Sequence, residues 1–257
     1  MRGCHRGSLI AAWRTPCEPA VIAAPDGIED FASYAASRGL TVDAGAHLPR
    51  ATPLLAEGEL RSVDAVMTGW LSTYVEAQMA LVTRNAVTSD SQGVETKGEA
   101  HFTVAVTHVP KAKRFIPWLL CQRVEDAHLL GRAADVLIHG NQRVQLESTE
   151  LDRRYRIFAS PDHDDTWLHE LFSPQFIVFL LEQAPTGLAF EYVEGTLCVS
   201  LVGRRTLTED LDGLRDATVS LVARMREEIK ESLGPARGRS APTTPGFPPP
   251  AGNAPSG

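Results

Sequence analysis

The stretch "GLAFEYVEGTLCVSLVG", Gly187–Gly203, carries the clearest structural signal in the chain. Two runs of alternating residues flank Glu194-Gly195, a pair suited to a two-residue hairpin turn. In that register Val193 faces Thr196. One face then carries Leu188, Phe190 and Tyr192 beside Leu197, Val199 and Leu201. The other carries Ala189, Glu191 and Val193 beside Thr196, Cys198 and Ser200. Slipping the register by one residue would mix the two sets, so the segregation supports this pairing. A hairpin with one wholly apolar face needs a second layer to bury it.

The following sequence supplies such a layer. From about Glu209 to Leu233 the pattern is helical, with Leu211, Leu214, Thr218, Leu221, Val222, Met225 and Ile229 on one stripe. Thr206 and Glu209 have capping-box spacing, and Gly234-Pro235 can end the helix. The stripe is expected to pack on the chain's own sheet.

Further strands are expected upstream. "VDAVMTGWL" (Val63–Leu71) and "VEAQMALVT" (Val75–Thr83) read as a hairpin around Ser72-Thr73-Tyr74. "HFTVAVTHV" (His101–Val109) follows, with Phe102, Val104 and Val106 on one face. Between them, Thr88–Glu99 is polar and reads as a mobile loop. "FIPWLLC" is restricted by Pro117 to a sheet edge or a non-strand role. "RVQLES" and "RRYRIFA" are strand-like. A first helix is expected over "PDGIEDFASYAASRGL", capped by Asp26 and ended by Gly39. "VEDAHLLGRAADVL" also reads as helical. Ser160-Pro161 and Ser173-Pro174 each have the form of a helix start, with serine at the cap and proline in the first turn.

The fold class expected is therefore α+β: antiparallel sheet with helices packed mainly on one face, and room for two subdomains. The division is an irregular start (1–24), an N-terminal α+β subdomain (25–122), a helical connector (123–142), a C-terminal α+β subdomain (143–233) and a tail (234–257). That tail, "GPARGRSAPTTPGFPPPAGNAPSG", is too poor in apolar residues to offset ordering entropy and is expected to be disordered.

The chain has 257 residues and a formal charge of −7. Arg237 and Arg239 are the tail's only charges, so the body is more acidic still. An acidic body argues against general nucleic-acid binding, which needs a basic footprint. None of the four cysteines (Cys4, Cys17, Cys121, Cys198) has zinc-site spacing. Reduced thiols and a cytoplasmic setting are expected. The longest apolar run, "FIVFLL", falls far short of the roughly 20 residues a membrane helix needs. "LIAAW" is likewise too short for a signal peptide.

Several segments taken in order suggest a family: "FASYAASRGL", "AVMTGWLSTYVEAQMAL", "FTVAVTHVP", "ESTELDRRYRIFAS", "LFSPQFIVFLLEQ", "GLAFEYVEGTLCVSL" and the final helix. Their order and phrasing resemble an uncharacterised, domain-of-unknown-function family of bacterial proteins common in actinobacteria. The most specific piece runs from Glu147-Ser148 through Leu151-Asp152-Arg153-Arg154-Tyr155-Arg156 to Ser173-Pro174-Gln175-Phe176. The resemblance covers about Ile28 to Leu233. It implies an α+β domain without an assigned activity or assigned catalytic residues. Members often carry an N-terminal membrane span, from which "SLIAAW" departs.

Candidate chemistry centres on "ASPDHDDTWLHELFSPQF", Ala159–Phe176. On a helix begun at Ser160, Asp162, Asp165 and His169 share a face, and carboxylates with an imidazole suit a divalent ion. A fourth ligand would come from elsewhere, such as His128 or His139. Acids in a first helical turn also favour the helix dipole without binding anything. Arg154 and Arg156, on one strand face with Arg153 beside them, form a candidate site for phosphate or an anionic lipid. Their alternative partners are Glu147, Glu150 and Asp152. "KAKR" (Lys111–Arg114) is a second basic cluster. His101 and His108 stand seven apart in one strand and face opposite sides. No phosphate-binding loop, nucleophile elbow or HExxH motif is present. The leading expectation is a non-enzymatic interaction or scaffold module with a protein partner and no cofactor, cytoplasmic or at the membrane periphery.

Overall fold

The computed structural model describes residues 27–43, 45, 47–56, 60–89, 95–126 and 140–233. The irregular start, the tail, Asp26, Cys4, Cys17, His128 and His139 lie outside the described residues, as does most of the expected helical connector.

The Gly187–Gly203 hairpin forms as its alternation requires. Strand β8 (Leu188–Val193) pairs with β9 (Thr196–Val202), matching Leu188 with Leu201, Phe190 with Val199 and Val193 with Thr196. Glu194 and Gly195 both have positive φ, 49° and 102°, as the tight hairpin turn demands. Seven further strands join this pair: β1 (Thr41–Val42), β2 (Leu60–Ser72), β3 (Val75–Ser89), β4 (Glu95–His108), β5 (Trp118–Arg123), β6 (Gln142–Val144) and β7 (Tyr155–Ala159). The result is one nine-stranded antiparallel sheet in the order β1-β2-β3-β4-β9-β8-β5-β7-β6.

The segments 25–122 and 143–233 therefore share one sheet rather than building one each. β9 from the second pairs with β4 from the first, and β5 from the first lies between β8 and β7. Between the segments, Val124–Asp126 form a turn rather than helix.

Three expectations change. β5 is an interior strand, because Pro117 precedes its first residue and takes no donor from the ladder. β3 and β4 extend through the polar stretch read as a loop, pairing as far as Ser89 with Glu95. The strand-like runs "RVQLES" and "RRYRIFA" are extended only in part, the first at Arg143–Val144 and the second from Tyr155. Ser148 caps a short helix, α2 (Thr149–Arg154), by accepting the Leu151 N–H at 3.3 Å, and β7 begins only at Tyr155.

Among the described residues the other helices are α1 (Ile28–Arg38), α3 (Asp165–Leu171), α4 (Pro174–Val178, continuing as a wider π turn to Gln183) and α5 (Thr208–Leu233). Gly39, at φ 69°, ends α1 in the left-handed conformation that glycine adopts without strain. Helices cover one sheet face. There Phe31, Trp167, Phe176 and the α5 stripe from Leu211 to Ile229 bury Met79, Leu119, Phe190, Tyr192, Leu197 and Val199. All seven stripe residues read from the sequence are buried.

The opposite face has its own core of Val82, Val104, Val106, Leu120 and Cys198, covered by Leu48, Leu54 and Leu55 of a segment with a single 3-10 turn, Pro53–Leu55. Two buried charged groups hold that turn. Arg84 of β3 donates to the Pro53 and Leu54 carbonyls at 3.3 and 3.4 Å, and Glu191 of β8 accepts the Leu54 N–H at 2.9 Å. β3 and β8 are separated by β4 and β9. Both side chains nonetheless reach the same turn. Cys121 and Cys198 are buried on opposite faces, so they cannot pair.

Candidate functional site

The residues singled out around Ser160-Pro161 occupy different settings from those a helix starting there would give. Ser160 continues from β7 and donates its N–H to the Trp118 carbonyl at 3.1 Å. Pro161 then sits in a turn closed by the His163 N–H to the Ser160 carbonyl at 3.2 Å, a turn position proline prefers. The helix cap is Asp164, whose carboxylate accepts the Trp167 N–H at 2.9 Å. Asp162 is thus in the turn and not on α3, so the trio does not share a helical face. Asp165 is 85% exposed at its side chain and meets His163 Nε2 at 2.7 Å. Among the described residues no group of three or more His, Cys, Asp or Glu side chains can hold a metal ion.

At Ser173-Pro174 the proline does open α4, but the serine hydroxyl makes no capping bond and is buried without a partner.

Asp165 and His169 do line a cleft of about 640 Å³, formed with Glu170 of α3 and with Arg224, Glu227, Glu228 and Glu231 of α5. Glu228 is buried on the otherwise apolar stripe. Burial raises its pKa, opposed by Arg224 at 2.7 Å and reinforced by the neighbouring Glu170 and Glu231. Arg224 also donates to the Glu170 carbonyl. The arrangement neutralises a buried carboxylate and ties α3 to α5 (a structural task).

Arg154 and Arg156 sit on two successive elements rather than on one strand face. Arg154 ends α2, where Glu150 accepts from it at 2.8 Å and the Leu181 carbonyl at 2.9 Å. Arg153 pairs with the same Glu150 at 3.0 Å. Arg156 lies exposed on β7 opposite Gln122. Arg154 instead lines a small cleft with Arg123, which itself pairs with Glu125 at 2.6 Å.

A site not recognised from the sequence lies at the end of the sheet. There the 3-10 turn Pro110–Arg114 follows β4 and meets the C-terminal end of α5. His108, Val109, Pro110 and Lys111 form one wall of a groove; Arg226, Ile229, Lys230 and Leu233 form the other. Its volume is about 790 Å³. Spacing places the α5 wall: Arg226 and Lys230 are four apart, as are Ile229 and Leu233, so each pair stacks along one helix edge.

The opposite wall is held from beneath. The buried Tyr192 hydroxyl donates to the Val109 carbonyl at 3.0 Å, and the Val109 N–H donates to the Gly195 carbonyl at 2.8 Å. Gly195 lets the turn approach, since a Cβ there would lie 3.2 Å from Pro110 Cα. Arg226 is fixed across the rim. Its guanidinium lies 5.4 Å from the Tyr74 ring centroid and donates to the Tyr74 carbonyl at 2.8 Å.

Basic side chains stand on both walls of the groove: Lys111 on one, Arg226 and Lys230 on the other. Many basic side chains are neutralised by the fold: Arg38 by Asp212, Arg204 by Asp64, Arg215 by Asp212 and Asp216, and Arg224 by Glu228. Lys111 and Lys230 make no ion pair among the described residues. Among the described residues, none of those lining the groove is acidic. The "KAKR" run hinted at one wall, but nothing in the sequence placed it beside the last two turns of a helix more than a hundred residues later.

No family model matches the chain, and no curated protein and no solved structure matches it.

Proposed function

We propose that this protein is a non-catalytic binding module whose binding surface is the groove between the Pro110–Arg114 turn and the end of α5. The observation that carries this reading is the pairing of an apolar floor (Val109, Pro110, Ile229, Leu233) with a basic rim whose Lys111 and Lys230 make no ion pair among the described residues. Concave, largely apolar sites with a few convergent polar groups are the usual form of a ligand site. The setting we propose is cytoplasmic or at the membrane periphery; among the described residues no helix is long and apolar enough to cross a membrane. The order of motifs supports membership of the bacterial family that the sequence resembles.

A neutral solvatochromic dye, Nile red, tests the surface. Wild-type protein is expected to bind it at one site with a blue-shifted emission. Leu233→Asp changes a side chain that is already 46% exposed and should abolish that signal without moving the thermal unfolding midpoint. Equal dye binding by both proteins sinks the reading.

A further inference from the structure

The groove's chemistry points to its ligand, an inference that rests on the binding-module reading above. We infer that it takes a single-chain anionic amphiphile, a long-chain carboxylate. The acyl chain lies against Val109, Pro110, Ile229 and Leu233, and the headgroup lies between Lys111, Lys230 and Arg226.

Three observations select this occupant. First, basic side chains stand on both walls of the rim, Lys111 on one and Arg226 and Lys230 on the other. A buried polar ligand would leave those charges uncompensated, whereas a carboxylate accepts charge-assisted hydrogen bonds from them. Second, the volume of about 790 Å³ falls within the range of small-ligand sites, roughly 300–1,000 Å³. A partner helix is read through anchors spread over about two turns, whereas the floor here consists of four apolar residues. Third, the charged side chains that follow Leu233 in the sequence, Arg237 and Arg239, have the same sign as the rim.

The test is displacement of Nile red from the full chain by sodium oleate held below its micellar concentration. Oleate is expected to displace the dye stoichiometrically, and oleyl alcohol, which lacks the charge, should do so far more weakly. The double variant Lys111→Glu/Lys230→Glu should still bind Nile red but lose oleate affinity by roughly tenfold or more, as two charge-assisted contacts are removed.

Dye binding that oleate leaves untouched overturns this inference while the groove reading stands; failure of Leu233→Asp to affect the dye overturns both. Displacement by an acidic amphipathic peptide but not by oleate would assign the groove to a protein partner and overturn the inference. So would binding to phosphatidylglycerol vesicles without binding to monomeric oleate. A concentration-dependent dimer that Leu233→Asp dissociates would assign the groove to a second copy, with the same consequence.

Discussion

Glu191 occupies a position that alternation alone would treat as half-polar, yet it is 2% exposed. Burial pushes its carboxyl up from 4.5 to about 7, against the opposing effects of the Leu54 N–H, the nearby Thr52 hydroxyl and the Arg84 charge. In the unfolded chain the group ionises near 4.5. Stability from the protonated form is therefore full below that pH and is lost as pH rises through about 7. The difference between the two values corresponds to about 3 kcal/mol across this window. Glu191→Gln keeps an acceptor for Leu54 and removes the titration. Denaturant midpoints of wild type and Glu191→Gln measured from pH 4.5 to 8 should diverge in favour of the variant as pH rises; parallel profiles would refute the assignment.

Individual elements were set by caps and turns as much as by hydrophobic period. α3 starts at Asp165 because Asp164 accepts the Trp167 N–H, and Trp167 is thereby placed on Phe115, with ring centroids 5.6 Å apart and planes 6° from parallel. Asp164→Ala should lower stability by about 1 kcal/mol, as loss of an N-cap does. The analogous change Asp162→Ala, in the exposed turn, should alter it little. Equal effects measured by chemical denaturation would mean that the helix begins earlier. Likewise α2 depends on one serine: its six residues are too short for a readable stripe, so only the Ser148 cap announces it.

For the whole molecule, the sheet makes the two halves of the chain interdependent. β5 cannot pair without β7 and β8, nor β4 complete its ladder without β9. Unfolding should therefore be a single cooperative transition. Leu119→Ala and Val199→Ala, both fully buried and each costing about 2–5 kcal/mol or less for the smaller valine, should shift the same transition. Far-ultraviolet circular dichroism and tryptophan fluorescence should trace coincident curves. Two separated steps would show that the halves fold as independent units.

Period, turn chemistry and composition alone specified the β8–β9 register, the α5 stripe, the β2–β3 hairpin and the α+β class, because each depends on residues close in sequence. Ser-Pro pairs were ambiguous, since the same dipeptide suits a helix start and a β-turn; Ser160-Pro161 took the second because its N–H joins the sheet. The polar arms of β3 and β4 became strands through ladder pairing that local propensity does not encode. The candidate ligands Asp162, Asp165 and His169 were separated when the cap fell at Asp164. The groove and the clasp of Arg84 and Glu191 on the Pro53–Leu55 turn each join residues distant in the chain. Those juxtapositions follow from how strands order themselves in a sheet, which long-range packing sets and local periodicity does not.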